Sequence, residues 1–350
     1  MAINLATKYS KKVQERFYQE SLTQSSFSKD LDMEFTGVKS VKVSEIGTVP
    51  MNDYKRSGAN RYGTPQELQD SIQEFIMTKD RAFTFTIDKG NDMEQQYIKK
   101  AGQACARQLK EIVTPEIDKY RFEQWAKNAG QGAAVAEPTK TNVFGLIVDA
   151  MAALDNKLVP KSGRTLYVNT VTYKALLQCS EFLSLEKTGN KVVTKGQIGE
   201  MLGMPVKYVP DTYFPANVYF MIILKDSAIS PVKLHEYTIH KDPPGISGHL
   251  AEGRFIYDAF VRGAKMDGIY VGIKTGNKVA DPTISVSSST ATLACSTSGA
   301  TIYYTTDGSD PRYSESRASG TSATVASGDT VKCVGVKDGL VMSGVVEKTV

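Results

Sequence analysis

Two stretches of strict alternation bracket a polar excursion, and this pairing constrains the chain more than any other feature. Ser40-Val41-Lys42-Val43-Ser44-Glu45-Ile46 alternates apolar with polar residues. Ala82-Phe83-Thr84-Phe85-Thr86-Ile87-Asp88 does the same and puts Phe83, Phe85 and Ile87 on one face. Between them, Asn52 to Asp80 carries Lys55, Arg56 and Arg61 with the turn formers Gly58, Gly63 and Pro65. The pattern predicts a long two-stranded arm over 35–88 with these segments as its two sides. A lone hairpin is marginal in water and needs a surface to lie on. That surface is either the body of the same fold or another copy of the chain.

With 350 residues, the chain is long enough for two or more cores. Hydrophobic residues at 41% and charged residues at 23% are those of a folded chain. A net charge of +4 lacks the concentrated basic face of a dedicated nucleic-acid binder. Apolar runs are too short for a membrane span, and the first ten residues lack a signal-peptide centre, so cytoplasmic synthesis is expected. Cys105, Cys179, Cys295 and Cys333 form no CxxC pair. Cys295 and Cys333 fall in one β region, where free buried thiols are expected.

Leu5, Tyr9, Val13 and Phe17 recur at helical spacing, with Lys8, Lys11, Lys12 and Arg16 largely off that stripe. Such a helix suits either an arm on a partner or packing on its own domain. After the excursion, Asn91 or Asp92 can cap a helix through Met93, Tyr97, Ala101, Cys105, Leu109 and Ile112. Pro115 is expected to kink it before the pattern resumes through Tyr120, Phe122 and Trp125 to Gly130. The whole element would be about 55 Å long. Residues 131–140 read as an exposed loop, and Val143 to Leu154 as a second amphipathic helix.

Mixed α/β grammar follows. Strands are predicted at 165–169, 206–209, 218–224, 254–261 and 268–273, with a short helix from a Thr170 cap and a helix-to-strand connection at 198–205. Lys274 to Pro282 reads as a polar linker. Beyond it Ser, Thr, Gly and Val dominate, and strands at 283–287, 291–296, 301–306, 322–325, 330–336 and 345–349 predict a small sandwich.

No constellation for catalysis emerges. His235 and His240 lie five apart, about 140° around a helix and on opposite faces of a strand, unlike the i, i+4 pair of a zinc protease. With His249 they are expected at a surface or interface. Asp281, Asp307, Asp310 and Asp329 sit at turns, where Asp caps backbone groups locally; calcium is the alternative chemistry there. Cys105 is expected in a core. The sequence assigns no catalytic residue, metal ligand or cofactor.

The order of arm, hairpin loop, long helix, mixed region and returning strands resembles the major capsid protein of tailed bacteriophages, whose fold is shared by encapsulin shells. Local phrases are similar too: Asn52-Asp53-Tyr54, Arg61-Tyr62-Gly63-Thr64-Pro65, Phe83 to Asp88, Asp242 to Gly248, Glu252-Gly253-Arg254 and Tyr257-Asp258-Ala259-Phe260. The tail, Ala300-Thr301-Ile302-Tyr303-Tyr304-Thr305-Thr306-Asp307-Gly308-Ser309-Asp310-Pro311, resembles the non-catalytic immunoglobulin-like domain at the C-terminus of chitobiases and hexosaminidases.

These resemblances imply an α+β shell fold followed by an all-β sandwich. They divide the chain into an N-terminal arm (1–34), an extended loop (35–88), a peripheral domain with the spine helix (89–163), an axial domain (164–234), return strands (235–277) and the sandwich (278–350). The implied function is a non-enzymatic shell subunit forming pentamers and hexamers around double-stranded DNA, with Lys55, Arg56, Arg61, Tyr62, Phe83 and Phe85 at the assembly interface. Implied partners are other copies, packaged DNA held without sequence preference, scaffolding and portal proteins, and weakly held glycans or a bacterial surface. The implied place is the virion, after assembly in a host cytoplasm. The rivals are a carbohydrate-binding or adhesion protein acting through the tail, and a hydrolase whose residues escape motif reading.

Overall fold

A computed structural model describes residues 21–24, 26–29, 39–46, 49, 51–65, 67, 70–90, 101–179 and 199–350. The N-terminal stripe and the start of the long helix lie outside these residues. The first strands are β1 (Ser40–Ile46), β2 (Asp70–Ile76) and β3 (Lys79–Asp88). Helix α1 (Ala101–Gln108) runs through a π turn, Leu109–Val113, into α2 (Thr114–Lys127). Then come β4 (Gln131–Val135), α3 (Val143–Asn156), β5 (Arg164–Val168) and α4 (Thr170–Gln178). The strands β6 (Glu200–Met201), β7 (Met204–Tyr208), β8 (Val218–Leu224) and β9 (Ala228–Ile229) follow. Last in this part are β10 (Val232–Lys241), β11 (Gly248–Tyr257), β12 (Phe260–Val261) and β13 (Ile269–Lys274).

The centre is a six-stranded mixed sheet in the order β4-β13-β8-β5-β7-β6. Its inner strands β13, β8 and β5 are buried on both faces, which explains the unbroken apolar run Val218 to Leu224. Alternation still sorts the side chains. Tyr167, Met221, Ile223, Val271 and Ile273 face Phe122, Trp125 and Ala126 of α2. Leu166, Val168, Phe220, Ile222 and Tyr270 face Ile147, Ala150 and Leu154 of α3 and Leu176 of α4. Three layers result, with α2 on one side of the sheet and α3 and α4 on the other.

Several expectations need correction. The interruption expected at Pro115 falls just ahead of it, as the π turn: the backbone stays in the right-handed helical region, and the Thr114 N–H donates to Leu109 O. This wider turn sits just before Pro115, which occupies the first turn of α2, where its missing N–H costs least. Residues 131–135 form β4, parallel to β13, rather than an exposed loop. Their small side chains let the chain lie close to Val271 and Ile273. Asn169, not Thr170, caps α4, its side chain accepting from the Thr172 N–H at 2.9 Å. The expected connection near 198–205 is a two-residue hairpin between β6 and β7, with Leu202 and Gly203 both at positive φ, +53° and +79°.

The sandwich has the six predicted strands, β14 (Thr283–Ser287), β15 (Thr290–Ala294), β16 (Thr301–Thr305), β18 (Ser322–Thr324), β19 (Thr330–Val336) and β20 (Val346–Thr349), and one that was not predicted, β17 (Ala318–Ser319). Sheets β14-β15-β18 and β17-β16-β19-β20 enclose Leu293, Ile302, Val331 and Cys333. Cys295 and Cys333 are free thiols. Burial, with Cys295 nearby, pushes the Cys333 thiol up to about 11. Asp281, Asp307 and Asp329 accept backbone N–H groups of Gly344, Ser309 and Ala326, and Asp310 accepts from Arg312.

The segment read as a polar linker is packed. Val279 is fully buried, its N–H donates to Val341 O, and the Val341 N–H donates to Asn277 O. Val341 in turn joins the core beneath the central sheet. Arg312 clasps Asp310 of its own domain while Nη1 donates to Gly130 O at 3.1 Å and Asp267 at 2.8 Å. Tyr313 lies against Gly263 so closely that a Cβ there would sit 2.4 Å from its ring. Lys127 reaches Asp338 at 2.9 Å. The sandwich is therefore fastened to the α+β part at several points. Arg312→Ala strips a nearly buried guanidinium from two carboxylates, which costs about 2–3 kcal/mol. Calorimetry should then show the sandwich unfolding separately from the rest, where the parent chain melts with the two parts coupled.

Candidate assembly interface

The arm exists, but its strands pair differently from the sequence expectation. β1 pairs antiparallel with β2, Ser40 opposite Ile76 and Ile46 opposite Asp70. β3, expected to be the other side of the arm, instead joins a three-stranded sheet in the order β10-β11-β3. Asp70-Ser71-Ile72-Gln73-Glu74-Phe75-Ile76 was hidden inside the polar excursion because its apolar residues fall on both faces.

At its root the arm is tightly held. Phe75 and Met77 are buried against Ile229, with Val41, Val43, Ile256 and Phe260 around them. Asp258 fixes the joint between β2 and β3. One carboxylate oxygen accepts the Thr78 N–H at 2.7 Å and hydroxyl at 3.0 Å. The other accepts the Tyr120 hydroxyl at 2.7 Å and the Ala259 N–H at 2.8 Å. The Gln73 amide completes the root, donating to Val261 O and accepting the Gly263 N–H.

The same region reaches the chain's beginning. Ser230 donates to Asp258 O and accepts from Arg121 Nε. Arg121 also meets Thr23 and Asp118, and Asp118 accepts from Ser21, the Leu22 N–H and Thr23. Residues 21–23 are thus strapped to α2. Nothing in the sequence reading flagged Asp118 or Arg121, although their i, i+3 spacing puts both on one side of the helix.

Away from the root, apolar side chains lie open. Ile46 is 73% exposed, Tyr62 84% and Met51 99%, with Val49 and Tyr54 more than half exposed. The tip is nonetheless ordered. The Lys55 N–H donates to Arg61 O, the Gly63 N–H to Asn60 O, and Arg61 Nε to Gly58 O. Tyr54 and Tyr62 meet edge to face at 5.0 Å. The result is a rigid knob bearing Lys55, Arg56, Arg61 and Tyr62.

The other two expected interface residues sit elsewhere. Phe83 and Phe85 are half-buried on the face of β3 that turns toward the π turn and α2. Phe83 stacks on Phe85 and on Phe255 at 6.2 and 5.9 Å. The opposite face of this sheet is polar and forms an open groove of about 420 Å³. Cross-strand rows Glu236–Arg254–Ala82 and Thr238–Glu252–Thr84 make its floor. Arg254 is neutralised by Asp80, which it holds below the usual carboxylate range. His240 stands 3.5 Å from Glu252. Among the described residues no cluster of three His, Cys, Asp or Glu is placed to hold a metal.

Asp258→Ala leaves the Thr78 N–H and Tyr120 hydroxyl, both only partly buried, without their acceptor, at about 1 kcal/mol for each lost bond. Hydrogen exchange at Met77 and Thr78 should rise while amides of β8 stay protected. Alkaline pH should act on the same joint. Burial first, then the bond to Asp258, raises the Tyr120 hydroxyl above its usual value, and burial with Glu116 pushes Tyr257 up to about 12. A raised tyrosine keeps its proton in the fold after the unfolded chain has lost it. Stability is therefore flat up to about pH 10 and falls beyond it. Denaturant midpoints measured from neutral to alkaline pH should show that slope, and Tyr120→Phe should flatten it.

Comparison with solved structures places this architecture. A structure from Mycobacterium phage Che8 superposes with a TM-score of 0.61 at 16% identity, covering 77% of this chain and 97% of that one. The capsid structure of cyanophage P-SCSP1u gives 0.61 at 10% identity, covering 77% and 93%. The mature capsid of bacteriophage PhiM1 gives 0.61 at 11% identity, covering 77% and 92%. Among curated protein sequences none matches this chain. Residues 282–347 match the chitobiase/beta-hexosaminidase C-terminal domain. The chain thus has the α+β fold of phage capsid structures, extended by an immunoglobulin-like domain of the chitobiase/beta-hexosaminidase C-terminal type.

Proposed function

We infer that the protein is a structural, non-enzymatic subunit of a phage head, one that assembles with copies of itself into a closed shell of pentamers and hexamers around double-stranded DNA. One observation carries this reading: an arm rigid at its root and ordered at its tip leaves Ile46, Val49, Met51, Tyr54 and Tyr62 in water. Contiguous exposed apolar groups on a held framework mark a surface that another protein covers. The capsid fold makes a second copy the natural cover.

In this reading residues 35–88 form the intersubunit arm and 91–130 the spine. Residues 89–163 and 235–277 make the peripheral part, 164–234 the axial part near the symmetry axes, and 1–34 an inner arm. Lys55, Arg56, Arg61 and Tyr62 act at the arm's tip, and the open edges of Phe83 and Phe85 add contact near its root. Individually modest interfaces become strong through their number in a closed shell. Scattered Lys and Arg on the inner face tolerate DNA without reading bases. Scaffolding and portal proteins are the expected assembly partners, the host cytoplasm the place of assembly and the virion the destination. The immunoglobulin-like domain stands as a decoration on the outer surface, where weak contact with glycans or a bacterial surface is its expected use.

Electron microscopy and light scattering of the expressed full chain test this directly. Closed particles of uniform size are expected. Replacing residues 47–69 by Asn-Gly, so that β1 and β2 close through a tight turn, should leave a folded subunit that no longer forms them. A parent chain that stays monomeric at every concentration and salt, or a trimmed arm with unchanged particle yield, overturns the reading.

A further inference from the structure

Two free thiols share the core of the sandwich. On β15, Ala291 and Leu293 are buried while Thr290, Thr292 and Ala294 are exposed, so the strand has one inward series. Cys295 is the next residue of that series and packs, partly buried, against the same core. On β19, Val331 and Cys333 belong to this core, and both are fully buried. The two strands lie in different sheets, so the thiols approach across the core rather than along a ladder. Gly335 lies two residues beyond Cys333, on the same face of β19. A Cβ built on it would stand 3.5 Å from Cys295 Sγ, so the bare glycine leaves that sulfur its place beside Cys333. The Cys295 thiol is held only by a weak bond, donated to Ala280 O at 3.3 Å.

We propose that Cys295 and Cys333 are a modification site, closed as a cross-sheet disulfide when a low-molecular-weight disulfide reaches Cys295. Of the seven strands β14 to β20, β15 is the second and β19 the sixth. Antibody domains carry their inter-sheet disulfide on that same pair of strands. Here both sulfurs are in position as thiols. Exposure sets the order of events, because only Cys295 is open to a reagent in solvent. Its thiolate attacks one sulfur of the small disulfide, breaks the S–S bond and expels one thiolate, which takes up a proton. Cys333 then gives its proton to solvent base, and its thiolate attacks Cys295 Sγ and expels the second small thiol. Two protein thiols are oxidised, and one small disulfide is reduced to two thiols. Burial makes the Cys333 thiolate scarce at neutral pH, so closure is slow there and quickens with alkali.

The closed bond ties the two sheets of the sandwich together and shortens the freely moving chain of the unfolded state between them. A head leaving a reducing cell for an oxidising medium would meet the reagent only then. The shell reading supplies that occasion and nothing else. Particles that assemble without the bond overturn the bond alone, and a bond that closes in a chain that never assembles overturns the shell alone.

The test uses the folded full chain with oxidised glutathione, quenched by alkylation, digested without reductant and read by mass spectrometry. A peptide joining Cys295 to Cys333 is expected, and reductant should abolish it. Closure should quicken about tenfold for each pH unit between neutrality and pH 9, as the thiolate fraction rises. Cys333→Ser should stop at one glutathione on Cys295, and Cys295→Ser should leave Cys333 unmodified in the folded chain. The oxidised parent should melt roughly 5–10 °C above the reduced one where the sandwich unfolds. A parent chain that keeps glutathione on Cys295 without closing, or whose two thiols both alkylate on unfolding after long exposure at every pH, overturns the proposal. A link between Cys295 of two chains overturns it in favour of an intermolecular bond.

Discussion

One buried carboxylate ties the arm, the helix α2 and the chain's first described residues together. Asp258 binds the joint of the arm through Thr78, the helix α2 through Tyr120 and its own strand through the Ala259 N–H. Its backbone oxygen extends the set through Ser230 to Arg121 and Asp118, and so to the strap 21–23. A buried acceptor with all its donors in place rigidifies, while a partly filled one destabilises. The arm's direction is thereby tied to the same helix that backs the central sheet. An arm can present apolar side chains to a partner only if its root cannot fold them back onto its own chain.

The division of burial along the arm follows from this. Phe75 is 2% exposed at the root, whereas side chains beyond Ile46 have little of their own molecule to lie on. The hairpin is stable because its first turn of contacts is core, not because the ladder is long. Turn bonds at Asn60 and Gly63 then order the tip without any packing beneath it.

Much of this was legible from the residues alone. The sandwich strands read cleanly because each carries period-two alternation between turn residues, and Val218 to Leu224 because only a strand buried on both faces has such a run. The arm's pairing was not legible. β3 alternates well, but alternation says that a strand has an inner face, not which strand lies beside it. β2 places Ile72 and Ile76 on one side and Phe75 on the other, so it carries no period, and contacts at the root decide its place. Residues 131–135 misled because Gly and Ala signal a loop when the neighbour that needs their smallness is far away in sequence. The groove was not legible for a related reason: Glu236 and Glu252 belong to two strands whose register only the fold supplies.

The fastening of the sandwich has a consequence of scale. With Val341 packed into the core beneath the central sheet and Arg312 bonded to Gly130 and Asp267, the appended domain is held at more than one point. Its orientation is inherited from the subunit beneath it. In a lattice of such subunits the appendages would stand at fixed intervals and fixed angles, like studs on a tiled surface. A ligand spaced to match would engage many at once with little entropy lost per contact. Evolution could then tune recognition by altering the lattice as well as the domain.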